Sequence, residues 1–548
     1  MSRSLKILLL VVCMLAGFRS MAQTTKSREL VVFSDRDFCI SGDTLWINVF
    51  VPEALHSYGT IVHLQLESQH RKLIASAAIK RNGTHAEGYI AVPDSLQTGL
   101  YFAHAFLNAR RNNERLDCIG RTLYVYNRFE EEIDRLPVVE RKDVFLPTET
   151  NNRIVISVNN SAYNTRNEVS GVIDVPEEEF VYAVVSAQMV DPFANANTGF
   201  INFKMENVNK QIPAFAEEDG IVISGQISDK ETGKPANELV LLSVVGNESY
   251  FDYYYPDSTG SFHFFMQDAQ GKADLILQPL SAGQKMFDLK LTPNFLSGTQ
   301  QLTFDTAFVN PVESESIQNS IKGTFFNKLF GGVSLSRTDT FEMPNPYGMP
   351  FYGWPDNHVV PDEFFDLPDF KEISRELLMG VQYRERNGEV TFRLINYGLE
   401  KFFANEPLRL INGIPVFKNS YFQSLKSTDI ASIDIIKSER VFGDLRFNGV
   451  LAVSLNDKSN NWLAQQPNIF QVKVPCIEFP KQANYSMSAT GKNVPDTREQ
   501  FYNEVLKTDK EQSFNFKLSD VKGELEIKVE AISKSGKLYK TSKIISVQ

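Results

Sequence analysis

DFKEISRELLMGVQYRERNGEVTFRLINYG (369–398), PLRLINGIPVFKNS (407–420) and STDIASIDIIKSERVFGDLRFNGVLAVSLND (427–457) succeed one another in this 548-residue chain. Together they spell a helix followed by short strands and tight turns. Asp369 stands where a helix N-cap accepts first-turn amides. Phe370, Ile373 and Leu377 then share one helical face, and Gly380 can end the helix. Asn387-Gly388 and Asn412-Gly413 each lie between apolar or alternating runs, the strongest local hairpin signal. Ser427-Thr428-Asp429 can cap one turn before a strand at 433–436, and Asn448-Gly449 leads into a strand at 450–455.

Outward from this module the chain reads as strands. Six short alternating runs, at 29–33, 44–51, 60–67, 89–92, 99–107 and 121–126, predict an immunoglobulin-like sandwich over 27–127. A charged stretch at 128–148 reads as a linker, and 149–210 as a second, smaller sandwich. Turn residues and alternating apolar positions over 219–296 predict another small β-domain. The segment 297–365 lacks periodicity and is rich in Pro and aromatic residues between Phe341 and Pro361. Such a strip is either a binding groove or an arm packed on a neighbouring domain. Residues 461–548 return to strands and predict a C-terminal immunoglobulin-like domain. The expected class is therefore mainly β and multidomain: immunoglobulin-like β-sandwiches plus one small α+β module at 366–457.

Three of these segments resemble known families. Met379-Gly380-Val381, then Pro407 to Val416, then Asp429 to Lys437 with Phe442-Gly443 and Asn448-Gly449-Val450, resemble the plug domain of TonB-dependent outer-membrane receptors. Asn412 stands where that family usually has Asp, and Asn396-Tyr397 where it often has Arg-Gly. Only 91 residues follow Asp457, whereas a receptor barrel of about 22 strands needs well over 200. The expectation is a plug-like module in a soluble chain, packed on the C-terminal sandwich. Ser34 to Trp46 with Thr98-Gly99-Leu100-Tyr101 resembles macroglobulin-type β-domains. Ile223 to Asp229, Thr232 to Pro235 and Asp257 to Phe264 are similar to carboxypeptidase regulatory-like domains, which implies a structural or adhesive role.

Residues 1–22 read as a secretory signal peptide, with Arg3 and Lys6 before an apolar run and Ser20-Met21-Ala22 as the cleavage site. Cleavage removes three basic and no acidic residues, taking the net charge from −11 to −14. A chain of that charge has no bulk attraction for nucleic acid. The expected location is the periplasm or the periphery of the outer membrane, with no transmembrane span in the mature chain. Cys39, Cys118 and Cys476 remain. Cys39 and Cys118 flank strands of the first sandwich and are the candidate disulfide; two separate buried thiols are the alternative.

Catalytic signatures are missing. None of the seven histidines forms HExxH, and there is no CxxC, GxSxG, Walker loop or GxGxxG. His56, His63 and His70, seven apart, read as incidental rather than metal-binding. No cysteine precedes glycine, so the macroglobulin thioester motif is missing too. Asp43-Thr44-Leu45, Asp94-Ser95-Leu96 and Asp305-Thr306-Ala307 resemble a bacterial O-glycosylation signal, or are ordinary turns. The resulting expectation is a non-enzymatic binding or scaffolding protein of the Gram-negative envelope, without cofactor. Its partner would be another envelope protein or an outer-membrane complex of uptake or secretion. The rival is a thioester-less, macroglobulin-like protein that interacts with proteases. The candidate contact residues are Tyr347, Phe351, Tyr352, Trp354, Asn412 and Gly413.

Overall fold

A computed structural model describes residues 29–108, 118–130, 136–139, 144–203, 216–245, 250–280, 285–293, 306–309, 317, 320–325, 341–345, 347–458, 460, 468–479, 485, 494–508 and 511–548. The expected signal peptide lies outside them. The chain is mainly β and forms two compact units, one of residues 1–217, 295–336 and 480–548, the other of 218–294 and 337–479. No described helix is long and apolar enough to cross a membrane.

The first unit begins with the expected N-terminal sandwich. Its strands are β1 (Leu30–Ser34), β2 (Phe38–Ile40), β3 (Thr44–Phe50), β4 (Ile61–Ser68), β5 (Leu73–Lys80), β6 (His85–Ala91), β7 (Gly99–Leu107) and β8 (Cys118–Tyr126). They pair in the order β5-β4-β7-β8-β1-β3-β6, and β2 pairs with β8. The sheet curls until Ile79 of β5 lies against Gly88 of β6, where a β-carbon would meet the Ile79 side chain at 2.5 Å. Leu30, Val32, Leu64, Phe102, Leu123 and Tyr124 are among the fully buried residues inside.

The second and C-terminal sandwiches of the sequence reading are one domain. Glu168–Asp174 pairs with Val155–Val158 on one side and Gln512–Lys517 on the other. Phe180–Met189 lies between Gln500–Leu506 and Gly523–Ser533, and the latter continues to Leu538–Val547. A single core holds Val169, Phe180 and Val185 together with Phe501, Phe516, Ile527 and Val529. The strands near residue 170 cannot cover both faces of a sheet alone, and alternation marks a strand without naming its partner. Phe200–Phe203, expected in the same small domain, pairs with β8 instead. The presumed linker at 128–148 also carries a strand, Leu136–Val139, paired with Thr306–Val309. Runs of two to four residues are too short to show a period.

In the second unit, Gly220–Asp229 pairs with Ser261–Gln267 and Phe287–Leu291. Val240–Val245 pairs with Tyr250–Tyr254 and Gln270–Pro279. Phe470–Pro475, expected in the C-terminal domain, pairs with Gln270–Pro279 and so extends this sandwich. The α+β module carries a five-stranded sheet in the order Asn357–Val359, Ile430–Ile436, Val450–Leu455, Leu408–Ile411, Ile414–Pro415. The helices Phe370–Glu376 and Ser420–Gln423 supply Phe370, Ile373 and Phe422 to the core on one face. Asp369 caps the first helix by accepting from Glu372 N at 2.9 Å. Both Asn-Gly pairs make the expected turns: φ is 53° and 81° at Asn387-Gly388 and 51° and 80° at Asn412-Gly413. Positive φ at both central residues is the type I′ requirement. Within its unit this module packs on the 220–291 domain, where Gln278 Nε2 donates to Pro415 O at 3.1 Å. Tyr253 Oη accepts from Asp444 N at 2.8 Å.

The candidate disulfide is not formed. Cys39, Cys118 and Cys476 are buried thiols outside any disulfide, and Cys118 Sγ accepts from Ala105 N at 3.4 Å. Cys39 stands opposite Val125 on β8, seven residues from Cys118 on the same strand. Seven residues of strand span about 23 Å, whereas a disulfide needs Cα atoms about 4.4–6.8 Å apart. Neighbouring strands do not place their flanking residues together. Burial pushes the Cys39 thiol well above its usual range and the Cys476 thiol up to about 12.

Candidate functional site

The aromatic strip divides between packing and exposure. Phe351 stacks on Phe251 at 5.4 Å and lies 5.8 Å from Phe442, inside the unit. Tyr352 is buried; its hydroxyl donates to Asp434 at 2.8 Å, and its carbonyl accepts from Arg440 Nε at 2.9 Å. These two are packing residues, not contact residues. Tyr347 and Trp354 are 74% and 65% exposed. Asn412 is also structural. Its Oδ1 accepts from Leu455 N at 2.8 Å and its Nδ2 donates to Asn460 Oδ1 at 2.8 Å, which ties the turn to the sheet end and leaves Gly413 half-buried.

Three exposed residues that are not among those candidate contacts sit in the turns next to Lys437. The chain reverses at Gly380, whose φ is 80° and whose carbonyl accepts from Ile395 N at 2.9 Å. A β-carbon on Gly380 would lie 2.6 Å from Ile395 and 3.3 Å from Lys437 Nζ. Asn396 Oδ1 accepts from Gly398 N at 2.9 Å and shapes the next turn. These two turns project Met379, Tyr397 and Leu399, which are 75%, 58% and 70% exposed. Beneath them Lys437 is buried. Its ammonium donates to Asn357 Oδ1 at 2.6 Å and Tyr397 Oη at 2.7 Å, and it sits 4.6 Å from the Tyr397 ring centre. Asp356 accepts from the Lys437 backbone N–H at 2.6 Å. Arg440 donates to Tyr352 O, Ser438 Oγ and Glu439 O. Neither cation has a carboxylate partner for its side chain among the described residues. Alternation along a strand could not have found this arrangement, because every exposed member sits in a turn or loop.

The other polar clusters are internal. Where the first sandwich meets the composite one, Asp37 binds Arg121 and Lys528, and Arg121 binds Glu530 at 2.7 Å. All four are buried. Burial drives the Asp37 carboxyl up, but Lys528 and Arg121 outweigh it and hold it well below the usual carboxylate range. In the first sandwich His63 meets Glu217 at 2.5 Å, and His104 and Arg71 both meet Glu67. His63 is thus held by an acid. His56 sits in the 3₁₀ turn Glu53–Tyr58, and His70 is in an exposed turn. Among the described residues no group of three or more His, Cys, Asp or Glu can hold a metal ion. Burial pushes the Glu499 carboxyl up to about 7, despite a hydrogen bond from Ser320 at 2.7 Å. Of the three Asp-Ser/Thr triplets, Asp94 and Ser95 are exposed and Thr44 is half-buried, while Asp305 lies outside the described residues.

No family model matches the sequence, and no curated protein matches it. Among solved structures, trypsin-activated alpha-2-macroglobulin from Escherichia coli is 10% identical at a TM-score of 0.22, covering 95% of this chain and 41% of its own. Salmonella alpha-2-macroglobulin reacted with methylamine is 9% identical at 0.21, covering 95% and 40%. The Yersinia pseudotuberculosis adhesin InvE is 10% identical at 0.14, covering 50% and 60%. The chain thus spans about two fifths of the length of the macroglobulins it is similar to.

Proposed function

We propose that this chain is an exported, non-enzymatic binding or scaffolding protein of the Gram-negative envelope that recognises a partner through its α+β module. The observation that carries the reading is where apolar surface lies. Ten of the nineteen exposed large hydrophobic side chains among the described residues fall between Tyr347 and Val441. Scattered exposed apolar residues are ordinary, but their concentration in one module supports the reading that this module carries the contact surface. The export part rests on the charged and apolar start of the sequence.

A photo-crosslinking residue placed at Trp354 or Met379 in intact cells tests the contact surface. Ile544, exposed in the other unit, is the control position. Discrete crosslinked species at the first two positions and none at the third are expected. Equal yields at all three would remove the reading. N-terminal mass spectrometry on the same fractions is expected to find Gln23 first; intact Met1 in the cytosol would end the export part.

A further inference from the structure

We infer that the loop 362–366 of the α+β module, with Phe364 and Phe365 at its centre and three carboxylates beside them, inserts into an apolar, cation-rimmed groove of a protein partner. This deepens the proposed recognition role and rests on it. Phe364 and Phe365 are adjacent in the chain and are 55% and 62% exposed. All five residues of the loop are exposed, whereas Pro361 before them and Leu367 after them are buried. The loop is held at both ends. The 3₁₀ turn Pro361–Glu363 closes with Phe364 N donating to Pro361 O at 3.1 Å. Leu367 N donates to Ser427 Oγ at 2.8 Å, its carbonyl accepts from Ser427 N at 3.1 Å, and its side chain lies in the module core. Two neighbouring phenylalanines in water are a large apolar area left uncovered. A loop fixed on both sides loses little conformational freedom when a partner covers them.

Charge decides the partner's chemistry. Asp362, Glu363 and Asp366 all lie within two residues of the phenylalanine pair, and no Lys or Arg occurs between Arg337 and Lys371. Among the described residues none of the three carboxylates is in an ion pair. The anchoring turn adds Lys426 and Asp429, which cancel. A surface of that composition repels anionic lipid and nucleic acid and attracts Lys or Arg. Aromatic side chains ringed by polar and charged groups are the usual anchors of protein interfaces. The partner that fits is therefore a protein groove with aliphatic or aromatic walls and Lys or Arg at its rim.

The test is a random dodecamer display library selected against the full chain, with phosphatidylglycerol vesicles as a parallel probe. Enriched peptides are expected to carry Lys or Arg within about three residues of Leu, Ile, Phe or Trp. Phe364→Ser/Phe365→Ser should weaken their binding about tenfold or more. Asp362→Asn/Glu363→Gln/Asp366→Asn should weaken it about fivefold and flatten its salt dependence. All the substituted loop residues are exposed, so the fold survives their replacement. Phe129→Ser, at a 66% exposed position of the other unit, is the control and should bind as the parent does. The inference is overturned if no peptide is enriched, if peptides with Lys and Arg changed to Gln bind alike, if either loop variant binds as the parent does, or if vesicles are bound in place of peptides. Self-association of the chain that the phenylalanine variant abolishes, without peptide binding, would assign the loop to a second copy and overturn the inference too. Crosslinks at Trp354 and Met379 alongside unaffected loop variants would leave recognition standing and remove only this inference.

Discussion

Replacing Arg121 with Met should destabilise the first unit by about 3–5 kcal/mol, the usual cost of breaking a buried ion pair from one side. The cluster contains two acids, Asp37 and Glu530, and two bases, Arg121 and Lys528, all buried. Arg121 donates to both acids and stacks 4.6 Å above Phe200. Its loss leaves one uncompensated negative charge, because Lys528 alone then faces both acids, Asp37 at 3.1 Å and Glu530 at 3.9 Å. Adding Glu530→Gln restores neutrality, so the double variant should recover most of the loss. Urea unfolding of the full chain, followed through the transition of this unit, measures the difference. The Asp37 contribution also has a defined pH window. Its folded pKa is depressed, so the stabilisation is present above the ordinary carboxylate range, about pH 4, and is lost as pH falls towards the folded value. A single variant as stable as the double one would refute the reasoning.

Glu499 works in the opposite direction. With its folded pKa raised to about 7, stability is fully present below about pH 4.5 and is lost as pH rises through 7, by about 3 kcal/mol if the whole shift is expressed. Glu499→Gln should therefore be more stable than the parent at pH 8 and not at pH 4; equal midpoints at pH 8 would count against it. Thiol titration of the unfolded chain without reductant should find Cys39, Cys118 and Cys476 all reactive, and non-reducing peptide mapping should show no linked pair. Gly380→Ala should lower the stability of the second unit by about 1–3 kcal/mol, because a left-handed residue gains a β-carbon 2.6 Å from Ile395; an unchanged midpoint would show that the turn relaxes freely.

Local signals are legible in the sequence, although the helix expected to reach Gly380 ends at Glu376, with Leu377 as its C-cap. Asp369 capping Glu372, the apolar face of Phe370 and Ile373, and the two Asn-Gly turns all depend on residues within a few positions of each other. Steric demands at φ and the geometry of one helical turn act at that range, so the α+β module and the alternating strands of the first sandwich are legible in order. Partnership is a different matter. Val169 and Phe516 face each other across a ladder although nearly 350 residues apart. The period of two that marks each as a strand residue is the same whichever strand it meets. Likewise, a disulfide between Cys39 and Cys118 looked reasonable from neighbouring strands, and the register on β8 set them far apart. Trp354 was picked out by composition, but Met379, Tyr397 and Leu399 are exposed only through the reversals at Gly380 and Asn396. Lys437 and Arg440, whose side chains have no carboxylate partner among the described residues, look in sequence like ordinary charges at a strand end. Their lack of an acid is a property of three-dimensional distance, which the tertiary structure alone decides.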